Sequence, residues 1–192
     1  MTQQQTKISG KTLKLKKQAG LTLVEVVSSL TIAGLVVGGA LAMFGSASST
    51  QKANQMTADV AALGTGIKSL YYSQGGYGAS GTLLATTLVN AGKVPTTLTV
   101  TDTSGVKTLT HSMGGTVIPA GNVSTFTIAL GSIPKEVCVN MLTAPMANTT
   151  VSTTDAATNA SGATLPVAPA TAVTNCTPGT GKTSVTVTYT MS

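Results

Sequence analysis

The stretch 21–44, LTLVEVVSSLTIAGLVVGGALAMF, limits what this chain can become more than any other segment. Its only polar side chains are Thr22, Glu25, Ser28, Ser29 and Thr31. A helix of about 20 residues, rising 1.5 Å per residue, crosses the hydrocarbon core of a bilayer. The segment is therefore long enough to span a membrane. Lys7, Lys11, Lys14, Lys16 and Lys17 precede it and no comparable cluster follows. By the positive-inside rule the amino terminus is expected in the cytoplasm, with everything beyond about residue 45 outside. A secretory signal peptide has a similar basic start, but its apolar part runs about 7–15 residues to a small-residue cleavage site. Here the apolar run continues through Gly38 and Ala42 before it meets a small, polar stretch. A signal anchor fits better.

Neither reading accounts for Glu25. A carboxylate in a membrane helix costs roughly 2.5–3.5 kcal/mol on insertion scales when central and less near an end, and such residues are usually paired and functional. Two explanations are open. With the lysine leader attached, Glu25 lies close enough to the cytoplasmic surface to stay wet. With the chain cut just before Leu21, a new α-amine lies a few residues away and supplies a cation.

The second explanation matches a known pattern. The leader ending in Gly20, the apolar residue Leu21 after it and the glutamate at the fifth position beyond the glycine resemble the amino-terminal segment of type IV prepilins. The resemblance implies that a membrane-embedded prepilin peptidase cuts between Gly20 and Leu21 and methylates the new amine. It also implies that Glu25 is the subunit-assembly residue, attracting the terminal amine of a neighbouring subunit. The 20-residue leader and the Leu rather than Phe at position 21 are similar to the type IVb branch. Within that branch, the Ser/Thr-rich outer part and TFTIALGSIPKEVCVNML resemble the thin-pilus (PilS-like) major pilins of conjugative plasmids and enteric bacteria. A register-setting role is also the best-attested use of a buried ion pair.

Charge narrows the partners. The chain carries +6 from eleven lysines and five acids, without arginine. Five of the lysines lie in the leader, and six lysines against Glu25, Asp59, Asp102, Glu136 and Asp155 leave only +1 beyond Gly20. The basicity belongs to the leader. Without arginine the preferred bidentate reader of phosphate and guanine is missing, and with no Trp there is little to stack on bases. Nucleic acid is not an expected partner.

Past the apolar run, Met56, Val60, Leu63, Ile67 and Leu70 recur at spacings of four, three, four and three, which draws a helix-packing stripe along one face. Gln51, Lys52, Gln55, Asp59 and Lys68 take other positions. The helix is expected to continue until the glycines of SQGGYG, 73–78, end it. Gly34, Gly38, Gly39, Gly45, Gly64 and Gly66 each weaken it by about 1 kcal/mol relative to Ala. Gly34 and Gly38 form a GxxxG pattern, either a close helix contact or a sporadic pair in a glycine-rich chain. If filaments form, GGALAMFG, 38–45, is where the helix is expected to loosen.

The rest reads as strands. TLTVT (97–101) and VKTLT (106–110) flank DTSG as a hairpin, while TFTIAL (125–130) and SVTVTYT (184–190) alternate polar and apolar residues as half-buried strands do. IPKEVCVNML begins with Pro134 in a first-turn position and predicts a short helix carrying Cys138. Residues 143–180, rich in Thr, Ala and Pro, are expected to be surface loops.

Cys138 and Cys176 are the only cysteines and both lie in the part expected outside, where oxidising conditions favour a disulfide. It would close a 38-residue loop and contribute about 4 kcal/mol on the chain-entropy model. Free thiols or a metal site are the alternatives, and a metal site lacks further ligands. The pair also resembles the carboxy-terminal disulfide of type IV pilins. His111, the single histidine, is expected to be a surface or partly packed residue, since no nucleophile and acid accompany it in a triad motif. GTGKTS (179–184) lacks the full phosphate-loop spacing. Asn122, Asn148 and Asn159 begin N-x-[ST] patterns that indicate exposure at most.

The expected fold class is α+β: a long N-terminal helix, half membrane and half amphipathic, on an antiparallel sheet in a disulfide-closed head. The expected divisions are a cleaved leader (1–20), a membrane and filament-core helix (21–44), an amphipathic helix (45–72) and a globular head (73–192). No cofactor, metal or catalytic activity is expected. The leading reading is the major subunit of a type IVb-like pilus, held in the bacterial inner membrane before assembly into an extracellular homopolymer. Its partners would be itself, the prepilin peptidase and the inner-membrane assembly machinery. The alternatives are a pseudopilin of a type II secretion machine and an uncleaved membrane-anchored periplasmic binding domain.

Overall fold

The structure, a computed structural model, describes residues 22–192 and divides the chain into two compact units, Met1–Met43 and Phe44–Ser192. The element order is α1 (Leu23–Tyr71), β1 (Thr82–Leu83), α2 (Ala85–Asn90), β2 (Thr99–Thr103), β3 (Val106–Thr110), β4 (Thr116–Asn122) and β5 (Thr125–Ile133). There follow α3 (Lys135–Thr143), β6 (Thr149–Thr154), β7 (Ala163–Thr164), α4 (Pro169–Asn175) and β8 (Val185–Met191). The fold class is α+β, with a long N-terminal helix packed on an antiparallel sheet.

In the first unit the described part of the helix presents apolar side chains on all sides, and they are exposed. Leu23, Val24, Leu30, Leu35 and Leu41 are all well exposed. The helix has an 18-residue window of mean hydropathy 2.0 and is long and apolar enough to cross a membrane.

In the second unit the character of α1 changes. Ala53, Met56, Val60, Leu63 and Ile67 are buried and Leu70 is partly buried against the same core. Opposite them lie Phe126, Ile128 and Leu130 of β5, Val151 of β6, and Val185, Val187 and Tyr189 of β8. Two helix glycines that weaken α1 locally have a packing reason. A methyl on Gly64 would lie 3.0 Å from the Met191 sulfur, and one on Gly66 would lie 3.0 Å from the Lys93 carbonyl oxygen. The small residues let the head approach the helix backbone.

The eight strands form one sheet in the order β2-β3-β4-β5-β8-β6-β7, with β1 pairing β4, and every pairing is antiparallel. The last strand, β8, lies between β5 and β6. The sheet is therefore closed only when the carboxy-terminal segment returns to it. Along β5 and β8 buried and half-buried residues alternate, as expected of strands with one face on a core.

Residues 143–180 correct the sequence reading. Instead of surface loops they contain β6, β7 and α4. The inward residues of β6 are Thr149, Val151 and Thr153, so two of three are polar and the hydropathy alternation that marks a strand is muted. The two buried threonines are satisfied: Thr149 Oγ1 donates to the Ala147 carbonyl at 3.1 Å, and Thr153 Oγ1 accepts from the Ala160 N–H at 2.8 Å. The hairpin lies at 99–110 rather than starting at 97, and β5 runs on to Ile133 past a register shift after Leu130.

β4 was hidden by Pro119, which ordinarily demotes a strand. In a strand a residue's N–H and C=O point to the same side, and the Pro119 carbonyl accepts from the Leu84 N–H at 2.9 Å, away from β5. On that side β3 pairs only up to Val117, and β1 pairs at Ala120 and Gly121. The missing proline N–H thus faces a gap between two partner strands and forfeits no ladder bond.

His111 is packed more deeply than the surface or partly packed position expected of it: it is buried. Its Nε2–H donates to the Gly131 carbonyl at 2.9 Å, and its Nδ1 accepts from the Met113 N–H at 3.3 Å. Both contacts suit the neutral ring. Burial holds the imidazole below its ordinary value, outweighing the Gly131 carbonyl and the Asp59 carboxylate, which act to raise it. A lowered folded value means that the neutral ring stabilises the head fully above about pH 6.5 and that this contribution is lost as the pH falls through the folded value. Thermal unfolding at about pH 5 is expected to show a less stable head than at about pH 7.5, and His111→Asn should shrink the difference. An unchanged difference in the variant would place the acid sensitivity elsewhere.

Candidate functional site

The start of α1 is built by its first side chain. Thr22 Oγ1 accepts from the Glu25 N–H at 3.3 Å, and the Thr22 carbonyl accepts from the N–H groups of Glu25 at 2.9 Å and Val26 at 3.1 Å. Thr22 thereby caps the helix and Glu25 falls at its third residue, the Thr-x-x-Glu spacing of a capping box. The first turn of a helix carries free N–H groups and the positive end of its dipole, which favours an acid there. This signal was present in the letters of 22–25 and went unread behind the membrane pattern.

The remaining polar side chains of the apolar stretch serve the helix itself. Ser28 Oγ donates to the Val24 carbonyl at 2.7 Å, Ser29 Oγ to that of Val26 at 2.9 Å and Thr31 Oγ1 to that of Val27 at 2.8 Å. Hydroxyls satisfied in this way can enter an apolar medium without an open donor. Among the described residues nothing pairs with the Glu25 carboxylate. It is the one polar group of the segment whose needs the helix does not meet.

Gly20 and Leu21, the residues expected to flank the cut, lie outside the described residues. Gly34 and Gly38 have no atom within 4 Å of where a methyl would stand, so the chain's own packing gives neither a reason to be small. The helix is unbroken through 38–45 in the single subunit. The loosening expected there concerns the filament.

In the head, Cys138 on α3 and Cys176 at the end of α4 are joined in a disulfide, with Cα atoms 5.7 Å apart, and both are fully buried. The bond ties α4 to α3 beside the core. Cross-strand partners Asp102 and Lys107 form an ion pair on the β2–β3 hairpin. The Lys107 hydrogen bond, then the Gly105 N–H and the lysine charge, hold the Asp102 carboxyl below its ordinary value. GTGKTS leads into β8, and its Lys182 pairs with Asp155 at 3.1 Å. Among the described residues no group of three His, Cys, Asp or Glu is placed to hold a metal. Asn122, Asn148 and Asn159 are exposed.

Comparison with known proteins gives three findings. The family described as PilS N terminal matches residues 50–192. The motif described as the prokaryotic N-terminal methylation motif matches residues 15–41. The chain is similar to the crystal structure of a type IV b pilin from Salmonella typhi, at 24% identity over 71% of this chain and 97% of that one, with a TM-score of 0.57. That likeness speaks to the fold. No match was found among curated proteins.

Proposed function

Because this chain belongs to the PilS family of type IV pilins, and so is a structural subunit and not an enzyme, we propose that it is the major subunit of a type IVb-like pilus. It is held by its apolar helix in the bacterial inner membrane with the amino terminus cytoplasmic. The prepilin peptidase removes residues 1–20 and methylates Leu21, and the subunits then polymerise helix against helix into a surface filament. The filament serves attachment, aggregation or conjugative mating-pair contact.

The observation that carries this reading is the first half of α1. A helix apolar all round, exposed among the described residues and internally satisfied except for one acid in its first turn must be covered from outside. A bilayer covers the apolar surface but leaves the acid without a partner. Neighbouring helices of the same kind cover the surface and, once cut, bring an amine to the acid.

The test is the intact mass and amino-terminal sequence of protein sheared from cell surfaces. A chain beginning at Leu21, with the extra mass of one methyl group, is the expected result. A chain still beginning near Met1 and found only in membranes would leave an anchored periplasmic domain in place of a pilin.

A further inference from the structure

The whole chain has six aromatic residues, four Tyr and two Phe. Three of them, Tyr71, Tyr72 and Tyr77, line one open cleft of about 360 Å³ where α1 ends, together with Lys68 and Ser124. That volume falls within the range of small-ligand sites, about 300–1,000 Å³. Half of a scarce residue class gathered at one surface site calls for a reason, and the core supplies only part of it. Tyr77 packs edge-on against buried Phe126, with ring centres 4.8 Å apart, and Tyr71 lies 6.0 Å from Tyr77. Tyr72 takes no part in that stack and is 93% exposed.

The cleft is held in shape from behind. Gly75 adopts φ +67°, a conformation that other residues rarely adopt. A methyl on Gly76 would strike the Val123 carbonyl, and one on Gly121 would strike the Tyr77 carbonyl. The Tyr77 N–H donates to the Val123 carbonyl at 3.0 Å. Tyr71 ends α1 and Tyr72 follows it, while Tyr77 is mounted on a loop clamped to the β4–β5 turn, so little order has to be imposed on binding. Lys68 is exposed and, among the described residues, forms no salt bridge.

We propose that this cleft binds a carboxylated sugar. The C–H face of a pyranose ring matches an exposed tyrosine face, and tyrosine offers a large contact area at small cost in side-chain entropy. The Lys68 ammonium meets the carboxylate as a point charge, and the Ser124 hydroxyl meets a ring hydroxyl. A neutral sugar leaves the lysine unused. A free acid without a ring leaves the tyrosines unused. The cleft lies wholly within the second unit, at the end of α1 and the loop after it, so the proposal does not depend on filament assembly.

The experiment is saturation-transfer NMR on the full chain in detergent micelles, with three probes: sialyllactose, a glucuronate-terminated disaccharide and lactose. Transfer to the ring protons of an acidic sugar is expected, with lactose at least about tenfold weaker. Tyr72→Ala and Lys68→Gln should each weaken the signal by up to about tenfold, the loss of one aromatic or charge contact. Both positions are exposed, so the folds of the variants serve as their own controls. Binding of sialyllactose alone points to host-type glycans, binding of the glucuronate alone to bacterial polysaccharide, and either supports the site. Absence of transfer from both acidic sugars, or transfer that is equal for lactose or untouched by Tyr72→Ala, overturns it. So does a Tyr72→Ala variant whose only defect is in subunit contact.

Discussion

Replacing Glu25 with Leu is expected to leave the protein inserted and folded but to cut surface filaments by at least about tenfold, the equivalent of one lost charge-assisted contact of about 1.5–3 kcal/mol per subunit. The effect follows from where the carboxylate sits. Thr22 caps the helix by its own oxygens, so the first turn survives without the glutamate side chain. Removing a charge from an apolar segment makes insertion easier, not harder, since the charged form costs about 2.5–3.5 kcal/mol at the bilayer centre. The head, whose core starts at Ala53, makes no use of Glu25. What the substitution removes is the one group in the segment with no partner inside it. Glu25→Gln keeps the shape and loses the charge, and should also fail if the partner is an amine. Counting filaments by electron microscopy beside the membrane level of each variant separates the cases. Normal filaments on Glu25→Leu cells would leave the acid as no more than a favourable charge in the first turn.

The second large effect is expected from Cys138→Ser with Cys176→Ser. The disulfide closes a loop of 38 residues, and on the chain-entropy model its loss costs about 4 kcal/mol. That is a large share of the 5–15 kcal/mol that holds most domains together. The loop contains β6, which lies directly against β8 in the sheet and whose inward face offers one valine between two threonines. With so little apolar area to hold it, β6 depends on the tether. Denaturant unfolding should show the double variant with a lower midpoint, and limited proteolysis should cut first within 143–180. Equal midpoints would mean that the β6–β8 ladder alone suffices to order the region. Two serines rather than one avoid leaving a free buried thiol to react.

The first half of α1 was legible from its unbroken apolar run, the stripe from Met56 to Ile67 and the strands around TFTIAL and SVTVTYT from their hydropathy period, and the helix of Cys138 from Pro134 at its start. β6 and β4 were not. In β6 the buried positions are threonines whose hydroxyls find local backbone partners, which a pattern of apolar letters does not register. In β4 a proline sits where two neighbouring strands leave a gap, which depends on registers set elsewhere in the sheet. His111 escaped for a similar reason. Its two ring nitrogens are satisfied by the backbone of Gly131 and Met113, and neither partner announces itself in the sequence.

By itself, then, the sequence determined the properties that reside in one contiguous segment: a helix too apolar for water, an acid within it, the methylation motif it carries and a periodic stripe after it. These depend on spacing along a single helix, and helical spacing is local. The tertiary structure alone decided what depends on residues far apart in the chain. It brought the carboxy-terminal β8 between β5 and β6, matched Gly64 and Gly66 to the parts of the head that press on α1, and brought Tyr77, on a loop clamped by Val123 and Gly121, to one cleft with Tyr71 and Tyr72 at the end of α1. Such arrangements are set by which strands pair and how closely backbones meet, and no local pattern encodes either.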